Sequence, residues 1–298
     1  MTRLVNGLSV DVEEHFQVGA FQHVIPQGSW DSIPSRVRGN VDRLLQIFDD
    51  HAVKATFFIL GWVAKRHPGM IKDIQSAGHE IASHGSDHQL AYQQTPESFR
   101  DDVAASKAVL EDLCGQAVIG YRAPSFSITA QNLWAFEILE ELGFRYSSSI
   151  YPIRHDTYGL PDASRFPFQP EGRKIVECPQ STVEVGPMRL PCGGGGYLRL
   201  FPFWLFRRAV GRVNATDQQS MYLYIHPWEI DPEQPRIDGA GLKSNFRHYR
   251  NLDKTEGRLI RLLEEFRWDR FDRILGFEPK VPANGQATDE KAKEQMTG

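Results

Sequence analysis

Four short stretches of the chain carry side chains that could hold an ion and move protons. SHGSDH (83–88) places His84 and His88 four residues apart, and neutral imidazoles suit zinc and other first-row divalent ions. SVDVEE (9–14) alternates Asp11 and Glu13 with Val10 and Val12. In a strand the two acids share one face and the valines take the other. Two carboxylates side by side need a cation near them if they are buried. In YRAPSFS (121–127), Arg122 stands two residues before Pro124. Its permanent charge could fix a carboxylate and lower that carboxylate's pKa. YLYIHPWE (222–229) ends an apolar run on His226, a position suited to a proton donor. Each stretch also has an ordinary reading. The paired histidines could lie on the surface, the acids could face solvent at a strand end, Arg122 could be a surface arginine and His226 a satisfied core residue. His79 reads as structural.

Shared position would turn four ordinary signals into one site, and the intervening pattern supplies it. Strands are expected at 7–12, 55–60, 79–83, 117–122 and 221–226, from apolar runs or alternation of strand length. Helices are expected at 40–51, 68–78, 95–115, 129–143 and 253–266. Pro68 and Gly78 punctuate the second of these, and Thr95 with Pro96 opens the third as N-cap and first helical residue. Alternating strands and helices indicate a parallel sheet or barrel, in which ligands gather at the C-terminal strand ends. The polar stretches follow such ends. His84 and His88 share a face if the segment after their strand turns helical. From about 147 to 200 the alternation breaks into a Pro- and Gly-rich, β-like insertion. Within it PCGGGGYLR (191–199) reads as a flexible connection, a lid, or a place of close ligand approach. LRLFPFWLF (198–206) is too short to span a membrane and reads as core or partner surface. One domain over 1–278 and a disordered polar tail over 279–298 are expected.

The four stretches in this order resemble the polysaccharide deacetylase family, also called carbohydrate esterase family 4 or the NodB-homology domain, from about Leu4 to Leu275. More narrowly, DVEEHF, KATFFILGWVAKRHP, GHEIASHGSDH and YRAPSFSI are similar to the subfamily associated with bacterial exopolysaccharide export loci. The resemblance implies a distorted (β/α) barrel of about seven units carrying the β-rich insertion. It implies Glu13, His84 and His88 as metal ligands, Asp11 as general base, Arg122 as the tether of Asp11 and His226 as general acid. The reaction implied is hydrolysis of N-acetyl groups on amino-sugar units of an exopolysaccharide or its precursor. Such a reaction needs an acidified water and a home for the oxyanion, for which the Ser125 backbone N–H after Pro124 is a candidate. The chain departs from the family pattern in three places. Asp-Val-Glu-Glu leaves Glu13 or Glu14 as the carboxylate ligand, with alternation favouring Glu13. Ser125 intervenes before Phe126. YSSSIYP (146–152) has serines where the family places the aspartate that orients the acid histidine, leaving Glu229, Asp156 or no acid for that task.

One divalent ion is expected, zinc first, with cobalt, nickel, manganese and ferrous iron also compatible with the donors. Tyr197, Arg199 and Trp228 are candidate sugar contacts. A net charge of −4 with scattered arginines offers no field for nucleic acid. Three cysteines without CxxC spacing, Cys114, Cys178 and Cys192, suggest neither a disulfide framework nor a cysteine zinc site. Acidic residues by position 11 and no long apolar run lead us to expect neither a signal peptide nor a membrane span, and hence a cytoplasmic setting. Two rival functions remain: hydrolysis of a small non-sugar amide, which would need a closed pocket, and a catalytically inactive carbohydrate-binding barrel.

Overall fold

A computed structural model describes residues 4–155 and 158–277. In chain order its strands are β1 (Val5–Val12), β2 (Thr56–Ile59), β3 (Glu80–Ser83), β4 (Gly120–Tyr121), β5 (Tyr146–Ser147), β6 (Val176–Glu177), β7 (Thr182–Val185), β8 (Met188–Pro191), β9 (Tyr222–Ile225) and β10 (Arg267–Asp269). All but β7 and β8 form one curled parallel sheet in the order β10–β1–β2–β3–β4–β5–β6, with β9 also paired to β1. β1 is therefore the centre of the sheet. It pairs with β10 through Val5–Gly7, with β9 through Gly7–Val10 and with β2 through Ser9–Val12. The fold is a distorted (β/α) barrel.

The sequence explains the frame. β2 is the tetrad TFFI, buried at every position, as expected of a strand covered on both faces. Val10 and Val12 of β1 point into the same apolar layer as Val41, Leu44 and Phe48 of the helix Val37–Asp50. The helix Pro96–Cys114 begins with Thr95 and Ser98 capping each other's backbone N–H and ends at Gly115 with φ 64°, a conformation that costs glycine least. Its face of Phe99, Val103 and Leu110 is fully buried.

Several expectations needed correction. The strand expected at 117–122 contracts to Gly120–Tyr121. The helix expected from 129 starts at Ala135, because Asn132 turns back to accept hydrogen bonds from the Thr129 backbone N–H and hydroxyl. The β-rich insertion is present: among the described residues it forms the antiparallel hairpin β7–β8, and β6 from the same region joins the main sheet. The glycine run is not a lid. Gly193 lies against β9, the Tyr224 N–H donating to its carbonyl at 2.8 Å, and Gly195 opens the helix Gly195–Leu200. Both readings of 198–206 have some truth: Leu198 and Phe206 are core, while Trp204 is 65% exposed. All three cysteines are free and buried. No helix among the described residues is long and apolar enough to cross a membrane. Residue 278, the tail at 279–298 and Asp156 fall outside the described residues.

Candidate metal centre and active site

β1 delivers Asp11 and, one residue beyond its end, Glu13 to the C-terminal mouth of the barrel, both nearly inaccessible to solvent. His84 follows β3 directly and His88 lies beyond a tight turn. That turn is not helical. Gly85 at φ 78° and His88 at φ 55° reverse the chain instead, so the imidazoles converge through left-handed backbone rather than a shared helix face. Asp102, from the neighbouring helix, accepts the Ser86 N–H with both oxygens (3.2 and 3.3 Å) and holds the turn down.

Glu13, His84 and His88 present one ligand atom each, all within 4.8 Å of one another. His88 Nε2 stands 2.9 Å from Glu13 Oε2, an oxygen with no hydrogen-bond donor. His84 Nδ1 lies 2.8 Å from the Arg122 carbonyl. A carbonyl only accepts, so Nδ1 carries the proton and Nε2 keeps its lone pair for the centre. A buried carboxylate facing imidazoles requires a proton or a cation among them. Two imidazole nitrogens and one carboxylate oxygen fit a divalent first-row ion. Burial lowers the His84 pKa to about 4 and so favours the neutral ligand form. Burial would raise Glu13, but His88, His226 and His84 outweigh it and hold the carboxyl at about 2.

Glu14 is elsewhere. Its side chain accepts the backbone N–H groups of Arg36 and Val37 and the Ser35 hydroxyl, which places it at the N-terminus of the helix Val37–Asp50. Glu13 is thus the glutamate that the alternation favoured, although β1 itself ends at Val12.

Arg122 is fully buried beside Asp11. Its Nη1 donates to Asp11 Oδ1 (2.5 Å) and Ser9 Oγ (2.9 Å); Nε and Nη2 donate to the Ser148 carbonyl and hydroxyl (3.2 and 3.0 Å). The guanidinium also lies over the Phe58 ring at 4.0 Å. The serine-rich stretch at 147–149 thus supports Arg122. Ser9 did not stand out in the sequence, since a lone serine carries no spacing signal, and Ser148 stood out only as part of the stretch that departs from the family's aspartate.

His226 approaches from β9. Its Nε2 faces Glu13 Oε1 at 3.5 Å, and its Nδ1 faces Glu229 Oε2 at 3.4 Å. Shielding from solvent disfavours charge here, but Glu13 and Glu229 overcome it and raise the imidazole to about 9. Glu229 is itself held near 2: burial opposes this, and Arg199 with His226 prevails. Trp228 stacks between His226 and His248, at 4.9 and 4.1 Å, and its Nε1–H points to Glu13 Oε1 at 3.4 Å. His248, which the sequence reading passed over, is buried there and meets Gln234 through Nε2 at 2.6 Å.

Beside His226 opens a cleft of about 530 Å³ lined by Tyr158, Tyr197, Tyr224, Trp228 and Arg247 among others. Tyr197 therefore sits where a sugar contact was expected. Arg199 also lines this cleft, with its guanidinium bound to Glu229 and to the carbonyls of Arg247, His248 and Arg250. Ser125 and Phe126 both have φ 52°, a pair of left-handed residues just after Pro124. They bend the chain so that Phe126 packs 4.8 Å from Tyr224. His79 is structural, accepting the Ala55 N–H at 3.0 Å.

The fold and the site define a class: a parallel barrel with a candidate His–His–Glu metal centre between an arginine-bound aspartate and a histidine that faces a carboxylate. Residues 29–147 match the polysaccharide deacetylase family model, and residues 148–276 match a domain of unknown function (DUF3473). Residues 29–147 are thus similar to the polysaccharide deacetylase family, and the second matched domain follows them. It is 31% identical over 115 residues to a peptidoglycan deacetylase of Helicobacter pylori, covering 37% of this chain and 36% of that protein. It is 32% identical over 96 residues to a peptidoglycan-N-acetylglucosamine deacetylase of Bacillus cereus, covering 32% and 35%. The chain thus spans about a third of the length of these curated relatives. A candidate polysaccharide deacetylase of Mycobacterium smegmatis shares the fold, with a TM-score of 0.61 at 20% identity over 95% of this chain and 94% of that one.

The two matched regions are not two bodies. β5 of the first pairs with β6 of the second, and β1, which precedes both, pairs with β2 of the first and with β9 and β10 of the second. His226, Glu229 and Ser148 all come from the second region.

Proposed function

We propose that this chain is a divalent-metal-dependent deacetylase that removes N-acetyl groups from amino-sugar units of a glycan. The observation that carries this reading is the placement of Asp11 and His226 around the Glu13–His84–His88 cluster. Simple sugar binding needs no metal-binding cluster flanked by a base and an acid. When bound, a divalent ion supplies Lewis-acid polarisation of the acetyl carbonyl and an acidified water.

The chain's own residues divide the remaining work. Glu13, His84 and His88 hold the ion, for which zinc is our first choice. Asp11 accepts the proton of the attacking water, held by Arg122 with its free oxygen available. The Ser125 backbone N–H stabilises the oxyanion. His226 protonates the leaving nitrogen from Nε2. Tyr197 and Trp228 line the cleft in which the sugar lies. An open, aromatic-lined cleft suits a glycan better than a small non-sugar amide, which favours an enclosed pocket. The relative named as a peptidoglycan-N-acetylglucosamine deacetylase supports an N-acetylglucosamine unit. We extend this to an exopolysaccharide of an export locus, or its precursor, on the motif resemblance, and to a cytoplasmic site of action.

Purified protein loaded with zinc is expected to release acetate from N-acetylglucosamine oligomers. Metal-loaded protein that releases none from oligomers, polymer or precursor glycans contradicts the reaction. Glycan binding that is equal in wild type and Asp11→Asn, with turnover in neither, establishes the inactive-barrel alternative.

A further inference from the structure

YSSSIYP has serines where the family places the aspartate behind the acid histidine, and among the described residues the carboxylate found there has a different origin. Glu229 lies three residues after His226, on the turn Pro227–Ile230 that follows β9. Its Oε2 accepts the His226 backbone N–H at 3.0 Å and faces the ring Nδ1 at 3.4 Å. One carboxylate thus holds the histidine's backbone and faces its ring nitrogen. Its Oε1 accepts from Arg199 Nε at 2.9 Å. Arg199 in turn donates from Nη1 to the carbonyls of Arg247, His248 and Arg250, which anchors it to the segment 247–250. Glu229 and Arg199 are both nearly inaccessible to solvent.

The glycine run belongs to the same arrangement. A Cβ on Gly195 would overlap the Glu229 carboxylate. A Cβ on Gly194 would stand 2.7 Å from the Tyr224 hydroxyl oxygen, and one on Gly193 2.8 Å from the Ser181 nitrogen. The helix that carries Arg199 can therefore lie close enough to Glu229 only because its first turn has no side chain there.

We infer that Glu229 is the positioning residue of the acid histidine, that Arg199 holds Glu229 in register, and that the backbone at Gly195 is bare to admit this pair. The inference rests on the deacetylase reading. In the step concerned, the water oxygen bonds to the acetyl carbon and one water proton goes to Asp11. The C–N bond breaks with its electron pair on nitrogen, and the proton on His226 Nε2 passes to that nitrogen, giving a free amine and acetic acid, which ionises to acetate by losing its proton to solvent. Glu229 neither gains nor loses a proton. It keeps Nδ1–H directed at itself, and so keeps Nε2 directed at the leaving group.

The test compares two leaving groups. An amine needs the proton of His226; 4-nitrophenolate does not. Glu229→Gln, loaded with zinc, is expected to lose about 10²–10³-fold in kcat on N-acetylglucosamine oligomers, with KM and zinc stoichiometry unchanged. Its rate on 4-nitrophenyl acetate should stay within about threefold of wild type. Arg199→Lys keeps a charge opposite Glu229 and is expected to show the same amide-selective loss, muted to about tenfold; it stands in should Glu229→Gln fail to fold. Equal losses on amide and ester, or no loss on the amide, overturn the inference and leave the deacetylase reading intact. A zinc-loaded wild type without activity on the amide defeats that reading instead.

Discussion

Replacing Arg122 by Met should expose how strongly the barrel depends on one buried ion pair. Arg122 is 0% exposed and Asp11 2%, so neither can turn to water when its partner is lost. The substitution removes four donor contacts, to Asp11, Ser9, the Ser148 carbonyl and the Ser148 hydroxyl. Breaking a buried pair in this way costs about 3–5 kcal/mol, mostly because the remaining charge is stranded. With an m-value of about 3 kcal/mol/M in urea, the unfolding midpoint should fall by about 1–2 M. Adding Asp11→Asn should return a large part of that loss, a coupling of at least about 2 kcal/mol between the two sites. It should not return activity, because the base is gone. Urea unfolding of wild type, both single variants and the double variant, read by fluorescence, gives the complete cycle. A cost below about 1 kcal/mol for Arg122→Met, or strict additivity of the two changes, would refute the stranded-charge argument.

Glu14→Ala is expected to leave zinc binding intact and to lower stability by about 1–2 kcal/mol through loss of the helix-terminus acceptor, whereas Glu13→Gln should abolish zinc binding; calorimetric titration with zinc separates the two. Burial, reinforced by Asp272, raises Glu80 from near 4.5 to about 8. The folded state therefore binds the extra proton between those values, and stability falls as pH rises through that window. Glu80→Gln should flatten this pH dependence, seen by following the urea midpoint from pH 5 to pH 8. Gly195→Ala is expected to lower kcat by at least about tenfold by displacing Glu229, with zinc stoichiometry unchanged; an active, unshifted variant would argue against the close packing.

The sequence was most legible where chemistry and geometry share a short span. Asp11 and Glu13 could be placed together because β1 alternates, and the same rule favoured Glu13 over Glu14. His84 and His88 were legible as a pair, but the turn that unites them was not, since its left-handed residue at 88 is a histidine. Long-range partners left little trace. Ser9, Ser148 and Asp102 act through separations that only strand pairing reveals. The partners of Arg199 were not legible, because they depend on a helix hidden in a glycine-rich stretch and on carbonyls some 50 positions further along the chain. The helix Phe203–Ala215 escaped notice because it begins among consecutive aromatics without a polar cap. Tertiary packing, more than local preference, selected it.

The account stands on one ion held by Glu13, His84 and His88. A crystal grown with zinc and measured on both sides of the zinc absorption edge tests this directly. The account predicts a single strong anomalous peak bonded to Glu13, His84 Nε2 and one His88 nitrogen, lost in Glu13→Gln. An anomalous map without a peak at this triad, from protein saturated with zinc, would contradict it.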